Sequence, residues 1–600
     1  MPEKAFSKIG NIAIYVYWSR NKTLEANTLS YVQELINVSE LILFVSNSKI
    51  DSKDVTKLTN LGATFLQRDN TGFDFWGWKE GISRFKDNIK KAKNLILCNS
   101  SCFLAFNSLD SLLLKMNSEA DLWGISSFED KHTPFHLQSY FLLFKRSILQ
   151  DWDGFISFWD NLPQMPGWKE AVELGELRLT NFFLDKGFRC KAITTPTSLP
   201  SKDVNPSFYF PVPLFKAGSP LLKKKIFTED YHHYLFASCG EAPREAMNYV
   251  RENGGHYNEI LSDLISSSTP TKLIQTLQLN FIVGGNSSYE ELHFKSEVAV
   301  ICFVFYDDMV QYISNILARF NGVADVYIVS TKKELLDSYK ERLTNKLPTA
   351  RYRLQTNRGR NEAAYFITCK DVLQNYQLFC GLHDKKTSHA KPALQGIDFM
   401  RHCEQNLCPS SSSIIEIIQL FKKNPLLGLL VPPLPFFGNF ISSVYNPLGR
   451  NMNSMRLLNK KFFEGRLFPS GNPDVFSAPF GGMFWARSAA LAPLYSSNLS
   501  FEDFPKEPIK NNDGTILHAL ERCYPMVARY SGFYTARVIN ISLVPLIYNN
   551  LLYFCITLPK KTRIFFAIKD ILKVKLSHFP LLYELARAIL RKVSSPNNLK

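Results

Sequence analysis

Few of the features that mark a specialised chain are found in this sequence. Its eleven cysteines stand singly. The closest pairs, Cys98/Cys102 and Cys403/Cys408, lack the two-residue gap of a zinc knuckle or redox motif, which argues against both and fits a reducing compartment. The opening MPEKAFSKIGNIAIYVYW passes from charge straight into a short strand-like run. It has neither the apolar stretch nor the small-residue cleavage site of a secretory signal, so a cytoplasmic location is expected. Charged residues are only 21% of the chain and hydrophobic ones 45%, which excludes a disordered polymer. One uncharged run, 538–559, is long enough to span a bilayer. Asn540, Pro545, Asn549 and Asn550 interrupt it, so buried strands or loops are expected there instead. Interleaved basic and aromatic patches are missing outside the tail, which argues against a nucleic-acid partner.

What is present is size and an uneven charge. Six hundred residues are too many for one core, so several domains are expected. Half of the +16 excess lies in 560–600, where ten Lys/Arg face only Asp570 and Glu584. Apolar residues such as Ile564, Phe565, Ile568, Ile571 and Leu572 recur there at roughly helical spacing. Such a basic amphipathic tail reads either as a lean onto anionic lipid or as a packed terminal helix with a solvated face.

An internal repeat organises the rest. NIAIYVYW and LILFVSNSK near the start correspond to VAVICFVFY and DVYIVSTKK near residue 300. Each pair is followed by an Asn-x-Gly turn, in DNTGFDFWGW (69–78) and TNRGRNEAAYF (356–366). NLILCNSS then corresponds to YQLFCGLHDKK, and QSYFLLFKRSIL to GGMFWARSAAL. Each half closes on an acidic helical segment, ELGELRLTNFFLDKGF or EPIKNNDGTILHALER. Alternating strands and helices predict two tandem α/β, Rossmann-like domains with mostly parallel sheets, at 8–200 and 296–535. A Pro-rich, basic connector at 201–295 and a terminal segment at 536–600 complete the division.

Ligands of open α/β sheets sit beyond the carboxyl ends of the strands, where the polar tips of both halves fall. Asn70, Gly72 and Asp74 are candidates for a nucleotide site, Gly72 supplying an unusual turn and Asp74 accepting from ribose hydroxyls among Phe73, Phe75, Trp76 and Trp78. Asn99 and Ser100, and in the second half His383, Asp384, Lys385 and Lys386, occupy strand tips. There a carboxylate can hold Mg²⁺ or Mn²⁺ against a diphosphate, and lysines can neutralise the same charge. Gly359 and Arg360 extend the second nucleotide site. Gln138, Trp485 and Arg487, at the aromatic-basic strands, are candidates for acceptor binding. Inverting glycosyl transfer needs one ionised carboxylate to take the acceptor proton. Glu507 and Asp513 in the second half, and Glu173 or Glu176 in the first, each just before or at a helix start, are candidates. His518 and Glu521, three apart on one helix, are explained by packing. Asp151-Trp152-Asp153 reads as helical, not as a strand tip.

The order VSNS, NTGFDFWGWKEG, LILCNSS, FHLQSYFLLFKR, LTNFFLDKGF, SPLLKKKIF, NRGRNEAAYF, LHDKKTS, GGMFWAR, FEDFPKEP, DGTILHALER resembles the rhamnan synthesis protein F family. The resemblance runs from about residue 11 to 535. It implies tandem GT-A-like glycosyltransferase domains, with dTDP-rhamnose as donor and a polyprenyl-diphosphate-linked saccharide as acceptor, working at the inner face of the membrane. The family usually has Asn-Asp-Ser where this chain has Asn99-Ser100-Ser101, and Gly-Arg-Asp where it has Gly359-Arg360-Asn361. Phe303 stands about where His is common. The rival expectation is a non-catalytic glycan-binding scaffold of degenerate transferase domains.

Overall fold

The computed structural model describes residues 8–556, apart from 20–22, 118, 196–197, 202, 230, 286–296, 387–391, 442–446, 469–472 and 510–512. The basic tail 560–600 lies outside the described residues. The chain divides into two compact units, Met1–Ser268 with Gln275–Gln278, and Thr269–Ile274 with Leu279–Lys600.

The first unit is built on β1 (Asn11–Tyr17), β2 (Leu41–Ser46), β3 (Thr64–Gln67), β4 (Asn94–Asn99), β5 (Cys102–Leu104), β6 (Leu122–Phe128), β7 (His136–Leu137), β8 (Phe141–Lys145), β9 (Cys190–Thr194) and β10 (Leu221–Lys223). Its main sheet runs β3-β2-β1-β4-β8-β6-β7, with β9 also paired to β6. β8 is antiparallel to both neighbours, and β1–β4 are parallel. Every residue of β1 is buried, as a parallel strand covered on both faces requires. Ile12, Ile14 and Val16 join one core with Phe75, Trp78 and Phe144. Ala13, Tyr15 and Tyr17 join the other with Tyr31 and Phe44.

The second unit holds β11 (Asn280–Val283), β12 (Val298–Val304), β13 (Asp325–Ser330), β14 (Arg351–Leu354), β15 (Leu378–His383), β16 (Leu427–Val431), β17 (Phe484–Arg487) and β18 (Tyr534–Asn540). Their order is β11-β18-β16-β17-β15-β12-β13-β14, with β17 antiparallel to β15 and β16. Apart from β11, found only here, and β7, found only in the first unit, this is the first unit's strand order again, with β18 in the place of β9. Registers agree residue by residue: Ile12 faces Leu41 as Ala299 faces Asp325, and Val16 faces Asn99 as Phe303 faces His383. The pairs Asn99/His383, Ser100/Asp384 and Ser101/Lys385 are therefore equivalent.

Two stretches differ from their sequence reading. SPLLKKK, read as part of a connector, forms β10 and pairs antiparallel with β5, Lys223 opposite Cys102. Within the run 538–559, β18 is half-buried to buried as expected, but residues 544–556 form a helix. Leu546, Tyr548, Leu551, Leu552, Tyr553 and Ile556 on it are all at least 40% exposed. No helix among the described residues is long and apolar enough to cross a membrane.

Candidate active site

Each unit turns from its third strand into a helix through two consecutive left-handed residues. Gly72 and Phe73 have φ of 71° and 54°, and Gly359 and Arg360 have 83° and 47°. A Cβ on Gly72 would fall 2.1 Å from the Trp76 ring, and one on Gly359 would fall 2.6 Å from Ala363. The left-handed conformation costs little only for glycine, so the shared second residue is held there by its surroundings. These turns place Asp74 and Asn361 in equivalent first helical turns. Further along, Trp78 donates its indole N–H to the Cys98 carbonyl at 3.1 Å, and Tyr365 donates its hydroxyl to the equivalent Leu382 carbonyl at 3.1 Å.

At the carboxyl end of β4, Asn99 Nδ2 donates to Asp74 Oδ2 at 2.9 Å. Asp74 is pushed up to about 6 by burial, against the pull of Lys223 and Arg68. Asn70 accepts from Asn47 Nδ2 at 3.1 Å, which anchors the turn. The aromatics around it do not stack on an open ligand space. Phe75 and Trp78 are core, and Trp76 donates its indole N–H to the Pro163 carbonyl.

The end of β15 is more charged. The amides of Phe305 and Tyr306 both donate to Asp384 Oδ2 at 2.8 Å. Trp18, equivalent to Phe305, donates its amide instead to Ser100 Oγ at 3.0 Å. Asp384 is 4% exposed, its Oδ1 has no hydrogen-bond partner among the described residues, and burial pushes it up to about 6. His383 is not free to bind metal. Its Nδ1 lies 2.8 Å from the Asp384 carbonyl and its Nε2 faces the Gly481 carbonyl, while burial and Lys385 lower it to about 4. Lys386 is ion-paired with Asp308, whereas Lys385 lies over the Phe399 ring, 4.9 Å from its centre.

Among the described residues no three His, Cys, Asp or Glu side chains are grouped to cage a metal ion. Mg²⁺ held against a diphosphate needs only one or two carboxylates, and the orphaned, buried Asp384 Oδ1 fits that requirement. Ser100 does not.

The expected catalytic carboxylates separate into two kinds. Glu507 is gripped by Arg360 at 2.7 and 3.1 Å and by the Ile509 amide at 3.0 Å. Asp513 accepts from the Arg450 amide at 2.8 Å and Asn451 Nδ2 at 2.6 Å, with Arg522 at 3.7 Å. Against the cost of burial, these partners hold both below the usual carboxylate range. Through these partners each ties distant loops together.

Glu176 is different. It accepts from the Ser139 amide at 2.7 Å and from its hydroxyl, with His136 Nε2 at 3.9 Å, and its charge bears on Asp74. Ser139 is equivalent to Gly481, because Leu142 faces Leu97 as Phe484 faces the equivalent Gly381. The Gly481 amide donates to Glu521 Oε1 at 3.2 Å. Glu176 precedes Cys190, and Glu521 precedes the equivalent Thr535, by fourteen residues in each case (190 − 176 and 535 − 521). Glu521, explained by packing in the sequence, is thus the second unit's Glu176. Its charge bears on His383, His518 and Glu362. Glu362 is buried, accepts from the Tyr524 hydroxyl, and is raised by burial to about 8.

The acceptor candidates do not join these mouths. Trp485 is fully buried, its indole N–H bound to the Leu407 carbonyl at 2.9 Å. Arg487 faces Leu378 at the opposite end of the sheet and donates to the Leu427 and Phe421 carbonyls. Gln138 is 5% exposed and closed into a hydroxyl cluster with Ser126 and Ser207. Asp151 caps the helix Trp152–Asp160 through the Gly154 amide, as its helical setting implied.

The rhamnan synthesis protein F family matches residues 42–533, more than four-fifths of the chain. The chain belongs to that family. It is similar to the uncharacterized protein y4gN of Sinorhizobium fredii, 25% identical over 195 residues, 32% of this chain and 50% of that protein. It is also similar to the uncharacterized protein WxcX of Xanthomonas campestris, 29% identical over 177 residues, 29% of this chain and 23% of that one. The chain thus spans half the length of the first relative and about a quarter of the second. Among solved structures it is similar to the glycosyltransferase GlyE of Streptococcus pneumoniae, with 11% identity and a TM-score of 0.23, covering 70% of this chain and 99% of that one. A glucose-1-phosphate thymidylyltransferase from Bacillus anthracis shows 10% identity and a TM-score of 0.23, covering 31% and 86%.

Proposed function

We propose that this rhamnan synthesis family member is an inverting glycosyltransferase of bacterial surface-polysaccharide synthesis, with Glu521 as the general base of the second unit. The observation that carries the reading is the repeated carboxylate. In both units one Glu is held by the amide before the antiparallel strand, at the mouth where ligands of such sheets bind. The donor is a nucleotide sugar, dTDP-rhamnose, and the acceptor a polyprenyl-diphosphate-linked saccharide.

In the second unit, Gly359 and Arg360 shape the nucleotide side, and Lys385 faces the diphosphate. Asp384 Oδ1 is the group that would hold a divalent cation, whose chemistry there is to neutralise the leaving diphosphate. Glu521 accepts the proton of the acceptor hydroxyl. That oxygen bonds to the anomeric carbon as the bond from carbon to the diphosphate oxygen breaks, and the nucleoside diphosphate leaves with the electron pair. The membrane role is supplied by the exposed apolar helix 544–556 followed by the basic sequence 560–600.

The test is transfer of rhamnose from dTDP-rhamnose to a lipid-linked acceptor by wild type and Glu521→Gln. Retained transfer in the variant overturns the assignment of the base, and no transfer from any nucleotide sugar by wild type overturns the enzyme. The second reading, a non-catalytic glycan-binding scaffold, is favoured for the first unit by Ser100, which stands where the second unit has Asp384.

A further inference from the structure

We propose that the first unit holds a diphosphate-binding site of its own, in which the Lys223 ammonium does the work that Lys385 does in the second. It takes from the proposed function only the expectation that diphosphate ligands are present. Lys385 follows Asp384 directly in the chain. Its equivalent in the first unit is Ser101, which carries no charge. The missing cation arrives from 122 residues away, where Lys223 Nζ donates to Ser101 Oγ at 3.0 Å. The antiparallel pairing of β10 with β5 fixes this placement, as does the Lys224 amide, which donates to the Ser101 carbonyl at 2.8 Å.

The two ammonium groups also meet the same turn. Lys223 Nζ lies 4.8 Å from the Tyr140 ring centre, and Tyr140 is equivalent to Gly482. Lys385 Nζ lies 3.6 Å from where a Cβ on the adjoining Gly481 would stand. Of the three consecutive lysines, Lys224 is ion-paired with Glu25 and Lys225 with Glu229. Lys223 is half-buried, and among the described residues its hydrogen bond goes to a neutral hydroxyl, while its charge bears on the Asp74 carboxylate without a direct bond. A partly desolvated ammonium bonded to a hydroxyl at a strand tip keeps its charge for an anion, and a diphosphate supplies several acceptor oxygens. With no carboxylate at Ser100, this site needs no metal. The diphosphate belongs either to the nucleotide sugar or to the lipid-linked acceptor.

Binding of labelled inorganic pyrophosphate to the full chain in excess EDTA tests this. Wild type is expected to bind, and Lys223→Met to bind roughly tenfold or more weakly. Lys223→Arg should bind within about threefold of wild type. Ser101→Asp, which gives Lys223 an internal counter-ion, should weaken binding as Lys223→Met does and guards against a misfolded variant. Competition by dTDP identifies a donor site, and competition by farnesyl diphosphate an acceptor site. Equal binding by Lys223→Met and wild type, or no binding of pyrophosphate, dTDP or farnesyl diphosphate in EDTA, overturns the proposal. If that happens while Glu521→Gln still abolishes transfer, only this inference falls.

Discussion

At the end of its first strand each unit offers the same backbone amide and answers it with a different group. Trp18 meets a serine hydroxyl, and Phe305 meets a carboxylate. The carboxylate is satisfied on one oxygen by two amides and bare on the other, whereas the hydroxyl is used up locally. The difference teaches that a duplicated frame can keep its geometry while its halves part in electrostatics. What stays common is the glutamate beyond the antiparallel strand and the paired left-handed turn. What differs is the means of neutralising an anionic ligand.

The sharpest way to break this comparison is at the shared glutamate. Glu521→Gln is expected to lower transfer by about 10²–10⁴-fold with the melting temperature unchanged, since it removes a base and no core contact. Glu176→Gln sharpens it. An equal loss makes both units transferases, and a loss below about tenfold leaves the first as a binding unit. Assays of sugar incorporation into lipid-linked product decide between them.

Next in size is the pH response of the two buried aspartates. Asp74 and Asp384 both sit at about 6 in the folded chain, above their unfolded value. The folded state therefore holds more protons between about pH 4 and 6, and stability falls as pH rises through that window. Asp384→Asn should remove its share of the fall, roughly 2–3 kcal/mol, in melting curves taken across that range. An unchanged profile would mean that Asp384 titrates normally. Smaller again is Glu507→Gln, which loosens a partly exposed ion pair. About 1 kcal/mol of stability and less than tenfold in rate are expected. Smallest of all, Arg487→Ala should leave transfer unaltered, because its guanidinium only ties carbonyls at the far end of the sheet. A raised acceptor KM in steady-state kinetics would contradict that placement.

The repeat was legible because buried parallel strands must be near-continuous β-branched and aromatic runs, and both halves keep them in one order. Gly72 and Gly359 stood out because a left-handed turn selects glycine. Glu521 was not legible, because the amide that marks it belongs to Gly481, 40 residues earlier. On its own helix it looked like a packing neighbour of His518. Trp485 and Arg487 misled for a topological reason. An aromatic strand ending in a basic residue reads alike in either direction, and β17 runs antiparallel, so its final residue emerges away from the mouth. Asp513 lies near a helix start as the sequence implied, whereas Glu507 stands well ahead of that helix, and the groups that occupy the oxygens of both come from distant segments.

The folded-back β10 carries a consequence for the order in which the protein is made. The helix Ala26–Val38 has no side-chain cap of its own, and its first amides, Ala26 and Asn27, are met by Asp263 at 2.9 and 3.0 Å. Its neighbour β5 finds its strand partner only at Leu221–Lys223. A ribosome adding roughly 5–20 residues per second leaves those groups waiting on the order of ten seconds or more between residue 26 and residue 263. During that interval β5 has no strand partner, an edge open to another chain, and the helix lacks the carboxylate that meets its first amides. The late arrival of 221–263 thus supplies the strand partner and the helix cap that the first unit lacks until then.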